Sequence, residues 1–184
     1  MPSAITHAIV GLSSSIAVSK GLPPSRFVFL SAICVMLPDL DVLAFRFGVP
    51  YGDFWGHRGF FHSLCFAFVL GFIIATLFFR REGFISKSFA FYCLYFSIVT
   101  STHGILDAFT NGGLGIALLS PFDNTRYFFW TTPITVSPLS VSAFMSSKGV
   151  AILKNEIGWV WLPSIGMAFI GKLNYSHKVY RKLE

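Results

Sequence analysis

From Phe60 to Phe79 the chain runs 20 residues with one His, His62, and no Asp, Glu, Lys or Arg, and the run stops at Arg80-Arg81. A helix of that length rises about 30 Å, which matches the hydrocarbon thickness of a bilayer. Such a segment needs apolar surroundings on every side. A soluble core of this size could not supply them: 54% of the 184 residues are apolar, 22 are phenylalanine and only 12% are charged, against roughly 25% charged in ordinary soluble domains. The expected fold class is an all-α integral membrane protein, and disorder, a coiled coil and a small disulfide scaffold are excluded. Cys34, Cys65 and Cys93 sit in apolar runs with no C-x-x-C spacing. They read as small buried hydrophobes rather than a disulfide framework or a zinc knuckle.

About five transmembrane helices are expected, over 3–19, 26–45, 60–79, 88–107 and 156–171, in one membrane-embedded domain covering 1–184. Pro163 predicts a kink in the last. The first stretch has no basic segment before it and no cleavage site after it, so it reads as a span rather than a signal peptide. With five spans, Lys20, Arg26, Arg80, Arg81, Lys87, Lys172, Lys178, Arg181 and Lys182 share one side, opposed only by Glu82 and Glu184. The other side carries Arg46, Arg58, Arg126, Lys148 and Lys154 against Asp39, Asp41, Asp53, Asp107, Asp123 and Glu156. Basic loops stay in the cytoplasm. This predicts a multi-pass protein of the plasma (inner) membrane with the N-terminus outside and the C-terminus cytoplasmic. The net charge of +6 then reads as a topology signal and a contact to membrane lipid, not as a nucleic-acid interface.

Ionisable residues inside spans are costly and point to function. Measured from the basic boundary of each span, His7, Asp39, Asp41, His62, His103, Asp107 and Glu156 all fall about 20 to 30 Å above the cytoplasmic edge, and His57 lies just above them. Imidazoles and carboxylates in one slab, with no thiolate, are the donor set for zinc or a similar divalent ion. His103 and Asp107, at i and i+4, share a helix face. Asp39 and Asp41 would diverge on a straight helix, but Pro38 predicts a break that turns both inward. His57 and His62 fit a loop ligand followed by one in the first turns of a helix, with Arg58-Gly59 allowing the bend. The expected ligands are His7, Asp39, Asp41, His57, His62, His103 and Asp107. Seven are too many for one four-coordinate zinc, so two or three ions are expected. Glu156 has two readings, a ligand or general base, or a cap of the last helix. His177 lies in the basic tail on the other face.

Residues 111–155 form the one long outer segment. Gly112-Gly113-x-Gly115 allows tight turns but follows a helix and lacks a P-loop lysine, so it is not a phosphate cradle. Pro121-Phe122-Asp123-Asn124 predicts a turn. Tyr127-Phe128-Phe129-Trp130 predicts an interfacial aromatic anchor, and Ile134 to Val141 an extended segment across the site. Arg126 either holds a phosphate or snorkels to headgroups.

Leu37-Pro38-Asp39-Leu40-Asp41, His57-Arg58-Gly59-Phe60-Phe61-His62-Ser63 and His103-Gly104-Ile105-Leu106-Asp107-Ala108-Phe109-Thr110 resemble the motifs of the YdjM-like, LexA-regulated family of membrane-bound metal-dependent hydrolases. The similarity continues through Gly112-Gly113, Ser120-Pro121-Phe122, Arg126-Tyr127-Phe128-Phe129, Ile134-x-Val136-Ser137-Pro138 and Glu156-x-x-Trp159, in order along nearly the whole chain. Phe61 departs from it, since families of this type usually show Thr near that place; a hydroxyl is lost but no ligand.

The family is distantly similar to zinc phospholipases C and single-strand nucleases. The resemblance implies hydrolysis of a phosphoester, and the outer-leaflet height suggests a phospholipid or other lipid-linked substrate. Metal ions would activate a water and polarise the phosphoryl group. Asp39 or Glu156 would serve as general base, and Arg126 and Arg58 would stabilise charge on the phosphate. The alternative is a divalent-metal transporter or channel using the same ligands. It needs polar groups in the inner halves of the spans, which are nearly all apolar except Ser13-Ser14-Ser15. A structural metal clamp is a third reading, and it requires a closed site.

Overall fold

The computed structural model describes residues 1–19 and 21–180, without the side chains of Glu82 and 175–180. Of the residues used above for orientation, Lys20, Arg181, Lys182 and Glu184 lie outside the described residues, as do the side chains of His177 and Lys178. The described residues form helices and no strand; only two isolated bridges, Thr110–Ile134 and Ile116–Tyr127, pair extended backbone.

Local chemistry sets the helix starts. Ser3 caps α1 (Ala4–Val18) by accepting the Thr6 amide. Pro24 precedes α2 (Ser25–Met36), and its carbonyl accepts the amides of Phe27 and Val28. Ser63 caps α3 (Leu64–Phe79) and Ser86 caps α4 (Lys87–Ala108), each taking the amide three residues on at 3.0 Å. These side-chain oxygens satisfy amides that the first turn leaves unpaired. A short α5 (Val141–Phe144) leads to α6 (Ser147–Glu156), which passes through a widened π turn at Ile157–Trp161 into α7 (Leu162–Tyr180). Pro163 explains the wide turn, since it offers no amide to the preceding carbonyls and its ring crowds them.

α3 packs along α4, α1 lies between α2 and α7, and α2 meets α4. Phe27, Leu30, Cys34 and Val35 of α2 interlock with Leu70, Ile74 and Phe79 of α3 and Tyr95, Phe96 and Val99 of α4. The outward faces are as apolar as the core: Phe29, Phe68, Leu77 and Phe169 are each about two-thirds exposed. A water-facing surface rarely tolerates so much exposed hydrocarbon.

Two helical stretches are long and apolar enough to cross a bilayer, Ser25–Phe47 and Lys87–Ala108. The first and third expected spans are shorter helices, Ala4–Val18 and Leu64–Phe79. The third is shortened because Phe60–His62 form a tight 3-10 turn and Ser63 restarts the chain as a cap. The last helix begins at Ser147 rather than at Glu156, which takes nine residues from the expected outer segment and leaves Glu156 inside a helix instead of capping one. The non-helical part of that segment crosses back over the end of α4. The Asn111 amide donates to the Ile134 carbonyl and the Ile134 amide to that of Phe109, Ser137 donates to the Met1 carbonyl, and Asn155 of α6 ties down Pro133 and Thr135.

Candidate metal centre

Past Met36 the second helix tightens into a 3-10 helix, Leu37–Phe47, closed by Gly48 at φ 77°. Three residues per turn place i and i+2 about 120° apart, where an α-helix would set them about 160° apart. Asp39 and Asp41 therefore both reach the interior. Pro38 has a second effect. It has no amide to give the Val35 carbonyl three residues back, and that carbonyl instead takes the Nδ1 proton of His103 at 2.6 Å. A carbonyl can only accept, so the His103 proton is on Nδ1 and the Nε2 lone pair is free. His62 comes from the 3-10 turn before α3, and α4 reaches it through Gly104, whose place leaves no room for a Cβ beside the His62 carbonyl.

Asp39, His62, His103 and Asp107 present ligand atoms that all lie within 4.8 Å of one another, and Asp41, His57 and His62 form a second such group. In the first, His103 Nε2 is 3.3 Å from Asp39 Oδ1 and 3.8 Å from Asp107 Oδ2, while His62 Nε2 is 3.5 Å from each carboxylate. A hydrogen bond would draw these atoms to about 2.8 Å. Donors at the corners of a tetrahedron with 2.0–2.2 Å metal bonds sit about 3.4 Å apart. The spacing fits a shared cation better than direct pairing. The hydrogen bonding agrees: Asp39 and Asp107 oxygens, both His62 nitrogens, both His7 nitrogens and His103 Nε2 are buried without a hydrogen-bond partner. Each such group costs about 1–3 kcal/mol; together they would cancel the ~5–15 kcal/mol stability of an ordinary domain. The residues fit a divalent ion.

The second group is different. His57 Nδ1 and Asp41 Oδ1 are 2.6 Å apart, a hydrogen bond. Asp41 Oδ2 is 3.1 Å from His62 Nδ1 and accepts the Arg58 amide at 3.2 Å. Asp41 thus orients the His57 imidazole and lies beside that of His62, in the manner of the carboxylate–histidine support common behind metal ligands. His7 stacks on His103 with ring centroids 3.9 Å apart and points Nε2 at the other Asp107 oxygen, 3.3 Å away.

The two expected phosphate contacts, Arg58 and Arg126, both hydrogen-bond within the chain. Arg58 is almost wholly buried and takes a left-handed backbone, φ 66°. Its guanidinium donates to the Gly112 carbonyl at 2.5 Å and Thr110 Oγ1 at 3.0 Å, with Nε 3.7 Å from Asp107 Oδ2. Gly113, at φ 88°, lies so close that a Cβ there would strike the guanidinium. Arg126 donates to the carbonyls of His57, Tyr51 and Asp53 and so fastens the loop that carries His57. Partial burial lowers its pKa from the ordinary arginine value, and the same burial raises that of Tyr51 beneath it. Glu156 does not join either ligand group. Its carboxylate is fully buried and saturated: Ser3 donates through its amide at 2.5 Å and its hydroxyl at 2.6 Å, and Thr6 donates at 2.7 Å. Trp161 Nε1 completes the chain by donating to Thr6 Oγ1 at 2.6 Å. Phe61 packs edge-on against Phe66 at 5.2 Å.

Sequence reasoning missed Ser3, Thr6, Thr110 and Trp161. A hydroxyl pair at the cap and third position of α1 was the available signal for the first two; Thr110 and Trp161 gave none.

One residue reaches the edge of the cluster, although its carboxylate oxygens stay buried. The Asp39 side chain is 11% exposed while those of His62, His103 and Asp107 are sealed. Asp39 lies on a cavity of ≈ 210 Å³ walled mainly by Met1, Ile5, Val42, Pro138, Leu139 and Phe144.

An all-helical chain with a lipid-like exterior and a buried His/Asp cluster is a membrane protein built around a site that could hold metal. The chain belongs to the YdjM inner membrane protein family, whose model matches residues 1–181. It is 39% identical to the inner membrane protein YbcI of Escherichia coli (strain K12) over 174 residues, covering 94% of this chain and 97% of that protein. No solved structure matches the chain.

Proposed function

We propose that this protein is a membrane-embedded metal-dependent hydrolase that cleaves a phosphoester in a phospholipid or another lipid-linked substrate. The observation that carries the metal is the set of unpaired buried donors on Asp39, His62, His103 and Asp107 at tetrahedral spacing. His62, His103 and Asp107 would hold the ion, zinc by donor type, and leave its fourth position to a water beside Asp39, with His7 against the far oxygen of Asp107 available to a second ion. A divalent ion there would supply Lewis-acid polarisation and a water acid enough to attack at neutral pH. Asp41 keeps His57 in place. Asp39 is the general-base candidate, because it alone of the four cluster residues lines the cavity; Glu156, held by three donors, is not.

The apolar walls of that cavity support a lipid-linked substrate: a headgroup could reach Asp39 while its chains stay in hydrocarbon. The distribution of Lys and Arg supports an outer-leaflet site and an outward N-terminus. Phe27, Phe96 and Val99 pack the space between α2 and α4, which favours a hydrolase over the alternative of a divalent-metal transporter or channel. Metal analysis of detergent-purified protein, coupled to a screen of phospholipid turnover, tests the proposal. His103→Ala and Asp107→Asn are expected to lose bound metal and at least 100-fold of turnover; full turnover without metal, or metal-dependent uptake into proteoliposomes without hydrolysis, would overturn it.

A further inference from the structure

The helix ends remote from the His/Asp cluster frame a larger cleft, ≈ 660 Å³, between the loop after α1 and the first turns of α2 and α4. Its polar wall is basic: Arg26 from α2, and Lys87 with Ser88 from α4. Arg26 lies over the Phe79 ring, 4.8 Å from the centroid. The stack holds the guanidinium in the cleft and leaves its edge donors for a ligand. No carboxylate pairs with Arg26 or Lys87 among the described residues.

A second, apolar cavity of ≈ 290 Å³ adjoins the cleft, between α1, α4 and α7. Val18 and Phe91 line both, and the α4 wall of this groove runs through Leu94, Tyr95, Ile98 and Thr102. From Lys87 to Thr102 one face of α4 covers about 22 Å, more than the ~15 Å of hydrocarbon that one leaflet occupies. A basic, aromatic-walled mouth beside a long apolar groove has the shape and polarity of a phospholipid. A free anion would use only the mouth, and a zwitterionic lipid would bring its own cation up against Arg26 and Lys87, which have no carboxylate partner among the described residues.

We infer that this cleft and groove form one binding site for an anionic phospholipid of the leaflet opposite the metal cluster. Its phosphate sits between Arg26 and Lys87, and one acyl chain lies along α4. The site does not depend on what the His/Asp cluster does.

Native mass spectrometry of the full chain in detergent, titrated with dioleoyl-phosphatidylglycerol, dioleoyl-phosphatidylcholine and inorganic phosphate, tests it. The chain is expected to retain the glycerol lipid at least about tenfold better than the choline lipid, with no displacement by phosphate. Arg26→Gln with Lys87→Gln should bring the two lipids level. Ile98→Trp, which fills the groove and leaves the charges alone, should weaken both. Arg80→Gln with Arg81→Gln, charges outside the cleft, should change nothing. Equal retention of the two lipids by the unaltered chain, displacement by phosphate, or an equal loss in the Arg80/Arg81 variant would overturn the inference. Thermal unfolding in the same detergent shows that each variant is folded.

Discussion

Glu156 shows how one residue can change meaning between sequence and structure. Its height in the membrane matches that of the ligands, and spacing alone cannot separate it from them. In the fold it accepts three hydrogen bonds from Ser3 and Thr6 and binds the first helix to the last. Glu156→Gln replaces charge-assisted acceptors with a weaker amide, at a cost of about 2 kcal/mol. The expected result is a lower unfolding temperature in detergent with metal content unchanged; a stable variant that keeps metal but loses turnover would restore Glu156 as general base. The residues of the His/Asp cluster were more legible. His103 and Asp107 follow from helical spacing, and Asp39 with Asp41 from the proline before them. What sequence could not show was division of labour: whether Asp41 touches metal or steers His57 depends on distances of a few tenths of an ångström, which no periodicity encodes.

At the scale of the element, the 3-10 helix Leu37–Phe47 is the critical part. Eleven residues is long for this geometry, which is usually confined to short pieces. It turns both carboxylates inward and, through Pro38, releases the Val35 carbonyl to fix His103. Pro38→Ala removes the constraint. The expected outcome is at least tenfold weaker metal binding, read by competition with a chromogenic chelator, while helical content by circular dichroism stays the same or rises slightly; unchanged affinity would show that packing, not the proline, sets the geometry. The break at Pro38 was readable, but the type of helix beyond it was not, because 3-10 and α turns share their residue preferences. Arg58 was similarly opaque. Its left-handed backbone costs of the order of 1–3 kcal/mol, held by the Asp41 carboxylate on its amide and by the Ala117 amide on its carbonyl, partners 17 and 59 residues away in sequence.

For the whole molecule, apolar runs and a shortage of charge were enough to show a helical membrane protein. They overstated the regularity of the spans, since caps such as Ser63 and the turn at Phe60–His62 cut into apolar stretches that composition treats as continuous. The orientation proposed from Lys and Arg placement can be checked directly. Ser140→Cys should react with a membrane-impermeant maleimide in intact cells, and Ile85→Cys only after lysis; the reverse pattern would move the cluster to the cytoplasmic leaflet.

The bond between Ser3 and Glu156 spans 153 positions, and this has a bearing on biogenesis. During synthesis every proposed ligand, from His7 to Asp107, emerges well before the partner that secures the first helix. The ligand set can gather early, but its floor stays loose until the last helix enters the bilayer. Completion of the chain thus acts as a timing device: a nascent protein halted at residue 150 should surrender its metal to a chelator within minutes, and one extended through Trp161 should hold it.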